Sequence, residues 1–297
     1  MTHHTEERTL QLAERLIERI RSMQSAAVAF SGGVDSAVVA RAAFLALGEN
    51  AVAVTSVSPS LAPDELMDAR RQAREIGIRH VELHTSEFAK EQYRRNHPDR
   101  CYFCKDTLYS AIEHALPELK VAVVLNGTNT DDLGDYRPGL QAAAEYQVRS
   151  PLAEEGLCKA DVRALAALWR LSSADKPAAP CLASRIAYGV EVTEARVARI
   201  AEAESFLRSL LQCRELRVRE EAAELARIEV PITVLPSLTE PEHREAISSK
   251  LRNLGFRAVT VDLDGFRSGS MNEVLVSLGS PKPALVPSTH IGDRHEH

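Results

Sequence analysis

Ser31-Gly32-Gly33-Val34-Asp35-Ser36 is the stretch whose reading decides the fold. It follows an apolar run, Ala26-Ala27-Val28-Ala29-Phe30, and precedes another from Ala37 to Leu47. A short buried strand therefore feeds a glycine turn, and the turn opens a helix. Adjacent glycines let the backbone approach an anion closely and take positive φ without steric cost. The helix start aims free N–H groups at that anion. Ser31 and Ser36 add hydroxyl donors, so Ser31, Gly32, Gly33 and Ser36 read as a phosphate cradle.

Asp35 refines that reading. A carboxylate about 4 Å from a phosphate charge meets about 4 kcal/mol of repulsion at an effective dielectric of about 20. The helix end returns only ~0.3–1 kcal/mol. A cation should sit between the two anions, and Mg²⁺ is the usual partner of nucleotide phosphates. No Gly-Lys-Ser/Thr follows, so the loop is not of the Walker A type. It resembles the PP-loop of ATP pyrophosphatases, which implies cleavage of ATP to AMP and pyrophosphate while a substrate oxygen is activated.

The chain of 297 residues is long enough for one large domain or two smaller ones. Its apolar fraction of 44% and charged fraction of 26% are those of a globular protein. A net charge of −6 argues against an extended nucleic-acid surface but leaves room for a local basic pocket. No apolar run approaches the ~20 residues of a membrane span. The opening residues carry no basic and then apolar leader, so a cytoplasmic location is expected. Five cysteines are too few for a disulfide scaffold at this length, which makes them core residues, metal ligands or reactive thiols.

The expected fold class is α/β, a parallel sheet followed by a smaller α+β unit. Leu10, Leu12, Leu16, Ile17 and Ile20 recur at helical spacing. Ala51 to Val57 reads as a second strand, and Pro63 starts a helix that Gly77 ends. Val81 to Leu83 gives a third strand, and a polar connector runs from Ser86 to Asp99. A helix is expected near Asp106 to Ala115 and a strand over Val121 to Leu125. Strands alternating with helices imply right-handed parallel crossovers, with ligands outside the strand C-termini. The polar loop from Asn126 to Gly139, carrying Gly127, Thr128 and Asp131, leaves that same edge. A helix over Lys159 to Leu171 closes the unit.

The Pro- and Ser-rich stretch from Ser172 to Gly189 marks the domain junction, with domains over 1–178 and 190–276. Beyond it Thr193 caps a helix to about Leu211. Strand-like runs follow at Leu216 to Arg219 and Leu225 to Val230, then a helix over Glu240 to Leu254 and a strand over Ala258 to Leu263. The tail over 277–297 has the composition of a disordered segment.

SGGVDS, GTNTDDLGDYRPG, PCLASRIAYG, LRVR, LARIEV and DLDGFRSGSMNE together resemble the LarE family of ATP-dependent sulfur transferases. That resemblance covers the chain to about Glu273. It implies an adenine nucleotide alpha hydrolase-like PP-loop domain and maturation of the nickel-pincer cofactor of lactate racemase. ATP would adenylate a carboxylate of pyridinium-3,5-biscarboxylic acid mononucleotide, and sulfur would then displace AMP to give a thiocarboxylate. In some members the cysteine matching Cys181 sacrifices its sulfur. Others hold a [4Fe-4S] cluster on three thiolates, which here would be Cys101, Cys104 and Cys181. The resemblance also implies that Ser184, Arg185, Arg217 and Arg219 hold the substrate phosphate, that Glu204 and Glu229 bind a divalent ion, and that the protein is a homo-oligomer, a hexamer.

Read from the residues alone, Cys101 and Cys104 are also compatible with a redox pair or half a zinc site, with His97 as a nearby ligand. Cys181, between Lys176 and Arg185, has positive charge to favour its thiolate. Cys158 and Cys213 read as core fillers. Arg217 and Arg219 alternate on a strand and so share a face, where a phosphate could bridge them or solvent could cover them. A tRNA thiolase built on the same loop is the alternative function. It would need a basic RNA-binding face, which the acidic balance disfavours.

Overall fold

The computed structural model describes residues 3–134, 137–177 and 179–267. The tail over 277–297, and Ser268 to Glu273 of the last motif, lie outside them. Helix α1 (His3–Arg21) leads into strand β1 (Ala26–Ala29) and helix α2 (Val34–Leu47). Then come β2 (Ala51–Val57), α3 (Pro63–Ile76) and β3 (Arg79–His84). A single turn, α4 (Glu91–Arg94), precedes the long α5 (Arg100–Leu119) and the short β4 (Val123–Leu125). Helices α6 (Pro138–Glu145), α7 (Pro151–Glu154) and α8 (Lys159–Leu168) follow.

The first sheet has the order β3-β2-β1-β4, and every pairing is parallel. Because β1 and β2 lie inside it, each is covered on both faces and reads as continuous apolar sequence. Alternate residues divide between the faces. Ala26, Val28, Ala51 and Ala53 pack with α1, α2 and α8. Ala27, Val52, Val54 and Val124 pack under Leu108, Tyr109 and Ile112 of α5. β1 is a central strand, so the loops leaving β1, β2 and β4 meet at one edge.

The rest of the described chain gives α9 (Glu194–Leu211), β5 (Arg217–Glu221), β6 (Leu225–Glu229), α10 (Leu235–Leu238), α11 (Pro241–Asn253) and β7 (Ala258–Val261). Thr193 caps α9 as expected, its hydroxyl accepting from Arg196 N–H at 3.2 Å. In this second sheet β6 pairs antiparallel with β5 and parallel with β7. Its core also takes in Phe88, Tyr93, Leu182, Ala183 and Ile186. The connector before α5 therefore packs with the C-terminal half.

Two of the differences from the sequence reading bear on the site. α5 begins at Arg100 rather than near Asp106, so Cys101 and Cys104 lie among its first five residues. α6 occupies the end of what reads as a polar loop, started by Pro138 at its first position. Cys158 and Cys213 are not core fillers. Cys158 is half-buried at the N-cap of α8, where both its N–H and its thiol donate to Asp161 at 3.2 Å. Cys213 lies beyond α9, and its thiol donates to the Glu215 carbonyl at 3.5 Å.

Candidate active site

Gly32 takes φ +71°, the left-handed region, and lies against α3, where an added Cβ would be 3.2 Å from the Ala69 Cα. Only glycine fits both demands. The turn is closed by its own serines. Ser36 donates to the Gly33 carbonyl at 3.0 Å, Ser31 N–H donates to Ser36 at 3.2 Å, and Gly33 N–H donates to Ser31 at 3.3 Å. The loop after β4 closes on the same helix start, since a Cβ on Gly127 would lie 2.8 Å from Ser36 N. Gly127, Thr128 and Asp131 thus border the cradle. Thr128 N–H donates to Asn126 Oδ1 at 3.0 Å, and Asp131 accepts Lys159 N–H at 3.0 Å.

Asp35 has partners that the sequence reading did not supply. The buried Asn129 donates to its Oδ1 at 3.0 Å, and Lys159 Nζ donates to its Oδ2 at 2.5 Å. The cation beside Asp35 is thus the Lys159 ammonium. Mg²⁺ commonly takes one or two carboxylates together with substrate phosphates, so Asp35 suits it once that ammonium yields.

Cys101 and Cys181 are exposed and Cys104 is half-buried. Long-range clamps bring their two segments together. Arg100, buried, donates to the Ala183 carbonyl at 2.8 Å and to Asn96 Oδ1. Asn96 Nδ2 reaches the carbonyls of Ala187 and Val190, each at 2.8 Å. Leu182 N–H donates to the Ser60 carbonyl at 2.8 Å, which ties the Cys181 strap to the loop leaving β2. Lys176 bridges Glu65 and Asp68 of α3, the helix under Gly32. The thiols and the cradle therefore share one sheet edge.

The thiols also act on one another electrically. Burial, then Cys181, pushes the Cys104 thiol up to about 12. Among the described residues no group of three His, Cys, Asp or Glu is drawn in closely enough to hold a single metal ion. His97 instead lines a surface hollow with Glu91, Arg94 and Glu191.

The arginines divide into two kinds. Arg185 is 4% exposed and donates to Glu204 at 3.0 Å and to the Cys181 carbonyl at 3.0 Å. Ser184 Oγ donates to that carbonyl at 2.7 Å. Arg219 forks onto Glu229, two bonds of 3.0 Å, and reaches the Ser184 carbonyl. Glu204 also accepts Arg208 at 2.6 Å and Val218 N–H at 3.2 Å. Glu229 also accepts Arg227 at 2.9 Å. Both carboxylates are held by guanidiniums, and an ion at either would have to displace one.

Arg217 is different. It donates to the Leu216 carbonyl at 2.8 Å and lies over the Phe266 ring at 5.1 Å. Desolvation, then Arg185, drops it to about 10, with Arg219 and Arg208 acting the same way and the Glu204 carboxylate opposing them. A half-buried guanidinium ringed by others favours an incoming anion.

A glycine turn between a central parallel strand and the helix that follows it defines an ATP-using α/β enzyme of the PP-loop class. Residues 9–182 match the asparagine synthase family. The chain is 37% identical over 262 residues, 88% of its length and 93% of the relative's, to the pyridinium-3,5-bisthiocarboxylic acid mononucleotide synthase of Lactiplantibacillus plantarum. It is 45% identical, over 88% of its length and 97% of the relative's, to the uncharacterized protein slr1717 of Synechocystis. It is 27% identical to the uncharacterized protein MJ0830 of Methanocaldococcus jannaschii, over 87% and 97% of the two chains. The chain belongs to the LarE family of PP-loop sulfurtransferases.

Proposed function

We propose that this enzyme converts the carboxylates of pyridinium-3,5-biscarboxylic acid mononucleotide to thiocarboxylates for the nickel-pincer cofactor, in the cytoplasm. The observation that carries this reading is that Cys101, Cys104 and Cys181 interact electrostatically with one another in a chain that bears the SGGVDS turn and is 37% identical to a synthase of that product. ATP lies along Ser31, Gly32, Gly33 and Ser36, with Gly127, Thr128 and Asp131 at its side. Mg²⁺ held by Asp35 would neutralise phosphate charge. Arg217, backed by Ser184, Arg185 and Arg219, takes the phosphate of the mononucleotide.

A substrate carboxylate oxygen attacks the α-phosphorus of ATP, forming the acyl adenylate and releasing pyrophosphate. Sulfur then attacks the acyl carbon, and AMP leaves with the oxygen. Adenylation is needed because a carboxylate oxygen is otherwise a poor leaving group. Cys101, Cys104 and Cys181 would hold a [4Fe-4S] centre whose fourth iron could bind hydrosulfide taken from an external sulfide donor, the sulfur that replaces the carboxylate oxygen. The parts divide into a PP-loop domain over 1–178 and a substrate and oligomerisation domain over 190–276, assembled as a homo-hexamer.

The test is anaerobic purification with iron and acid-labile sulfide assays, followed by turnover and intact mass. Iron, sulfide and an unchanged polypeptide mass support this reading. Loss of one sulfur without iron instead makes Cys181 the donor. Absence of AMP and pyrophosphate with the dicarboxylate substrate overturns the function itself.

A further inference from the structure

Gln72 lies on α3 and is 2% exposed. Its Nε2 donates to the Gly32 carbonyl at 2.7 Å. Its Oε1 is buried without a hydrogen-bond partner. The opposite amide orientation would set oxygen against oxygen, so the Nε2 contact fixes the assignment. An unmade buried acceptor is unfavourable, and a methionine would fill the same space without one. The glutamine is therefore explained by what its N–H does at Gly32.

A trans peptide points its carbonyl and the following N–H in opposite directions. Holding the Gly32 carbonyl toward α3 therefore holds Gly33 N–H toward the cradle. The bond that N–H makes within the protein is long, 3.3 Å to Ser31 Oγ, and Ser31 in turn meets Ser36 Oγ at 3.3 Å. Those contacts are easily exchanged for a phosphate oxygen, whereas the Gln72 latch behind the loop is short and dry. Gly32 also has φ +71°, so its peptide plane can rotate more freely than that of other residues. Without the latch the N–H can turn away.

We propose that Gln72 is a positioning residue for nucleotide phosphate, locking the Gly32–Gly33 peptide with its N–H facing the phosphate chain. The proposal rests on reading the SGGVDS turn as the ATP site. It acts before any sulfur chemistry and is independent of the sulfur source.

The test is calorimetric titration of ATP and AMP into the full-length wild type and Q72M. Q72M keeps the volume and loses the donor. ATP, which places its phosphate chain in the turn, should bind about five- to tenfold more weakly, the worth of one hydrogen bond, while AMP changes by less than about twofold. Q72N retains the amide but is one methylene short, and it should show the same ATP-selective loss if Q72M does not fold. A purely structural role predicts a lower melting temperature with both affinities unchanged in the folded variant, and that result overturns the proposal. Wild type that fails to bind ATP overturns the site reading and the proposal with it.

Discussion

The phosphate cradle and the thiol group lie on one edge of the sheet but are built in opposite ways. The cradle is a contiguous run of backbone whose partners lie mostly within five residues of one another. The thiols come from segments about 80 residues apart in sequence and are held by buried side chains, Arg100 bonding Ala183 across 83 positions. A contiguous site is encoded by local rules of turn and helix start. An assembled site is encoded by its clamps, and the clamps are where it can be broken.

The largest effect should come from a clamp. Glu204→Ala leaves Arg185 buried without its carboxylate, and losing one partner of such a pair costs about 3–5 kcal/mol. Urea denaturation reads the loss, and a change under about 1 kcal/mol would show that the strap does not depend on it. Next is the cradle wall. Gly127→Ala forces a Cβ to 2.8 Å from Ser36 N, and overpacking of this kind costs about 1–3 kcal/mol. The same variant should bind ATP more weakly, because the start of α2 must shift.

A third effect separates the regions by pH. The Cys104 thiol stands at about 12 in the folded chain against 9.0 ordinarily. Between those values the unfolded chain has lost the proton that the folded one retains, so the metal-free protein loses stability as pH rises. Equilibrium unfolding at stepped pH should show that slope, and Cys104→Ser should flatten it. Uptake of the proposed cluster should run the other way, rising with pH as the thiols deprotonate. The smallest effect concerns Lys159. Its pair with Asp35 is 39% exposed on the lysine side, so Lys159→Met should change stability by less than about 1 kcal/mol. With that competitor gone, the Mg²⁺ concentration giving half-maximal ATP turnover should fall by up to about fivefold.

The difference between the regions also explains what could be read from sequence. β1, β2 and β4 were visible as apolar runs, whereas β3, a half-exposed edge strand, showed only its centre over Val81 to Leu83. The cradle was visible because glycine adjacency and strand–turn–helix order are local. Lys159 was invisible as a partner of Asp35, being 124 positions away. The start of α5 was missed although Asp99 is of a type that favours the N-cap; in the fold it makes no side-chain capping bond. α6 had such a signal in Pro138, obscured by the polar residues before it. Arg217 and Arg219 read as equivalent on an alternating strand. Only the fold shows that Glu229 takes one of them and leaves the other to Phe266.

The core of the second sheet borrows Phe88 and Tyr93 from before α5, and Leu182, Ala183 and Ile186 from the strap. A fragment starting at residue 190 would thus present a torn apolar surface to water. The C-terminal portion is therefore no transferable cassette. Gene fusions, circular permutations and split reporters of this enzyme should keep the span from Phe88 through Ile186 in company with everything that follows it.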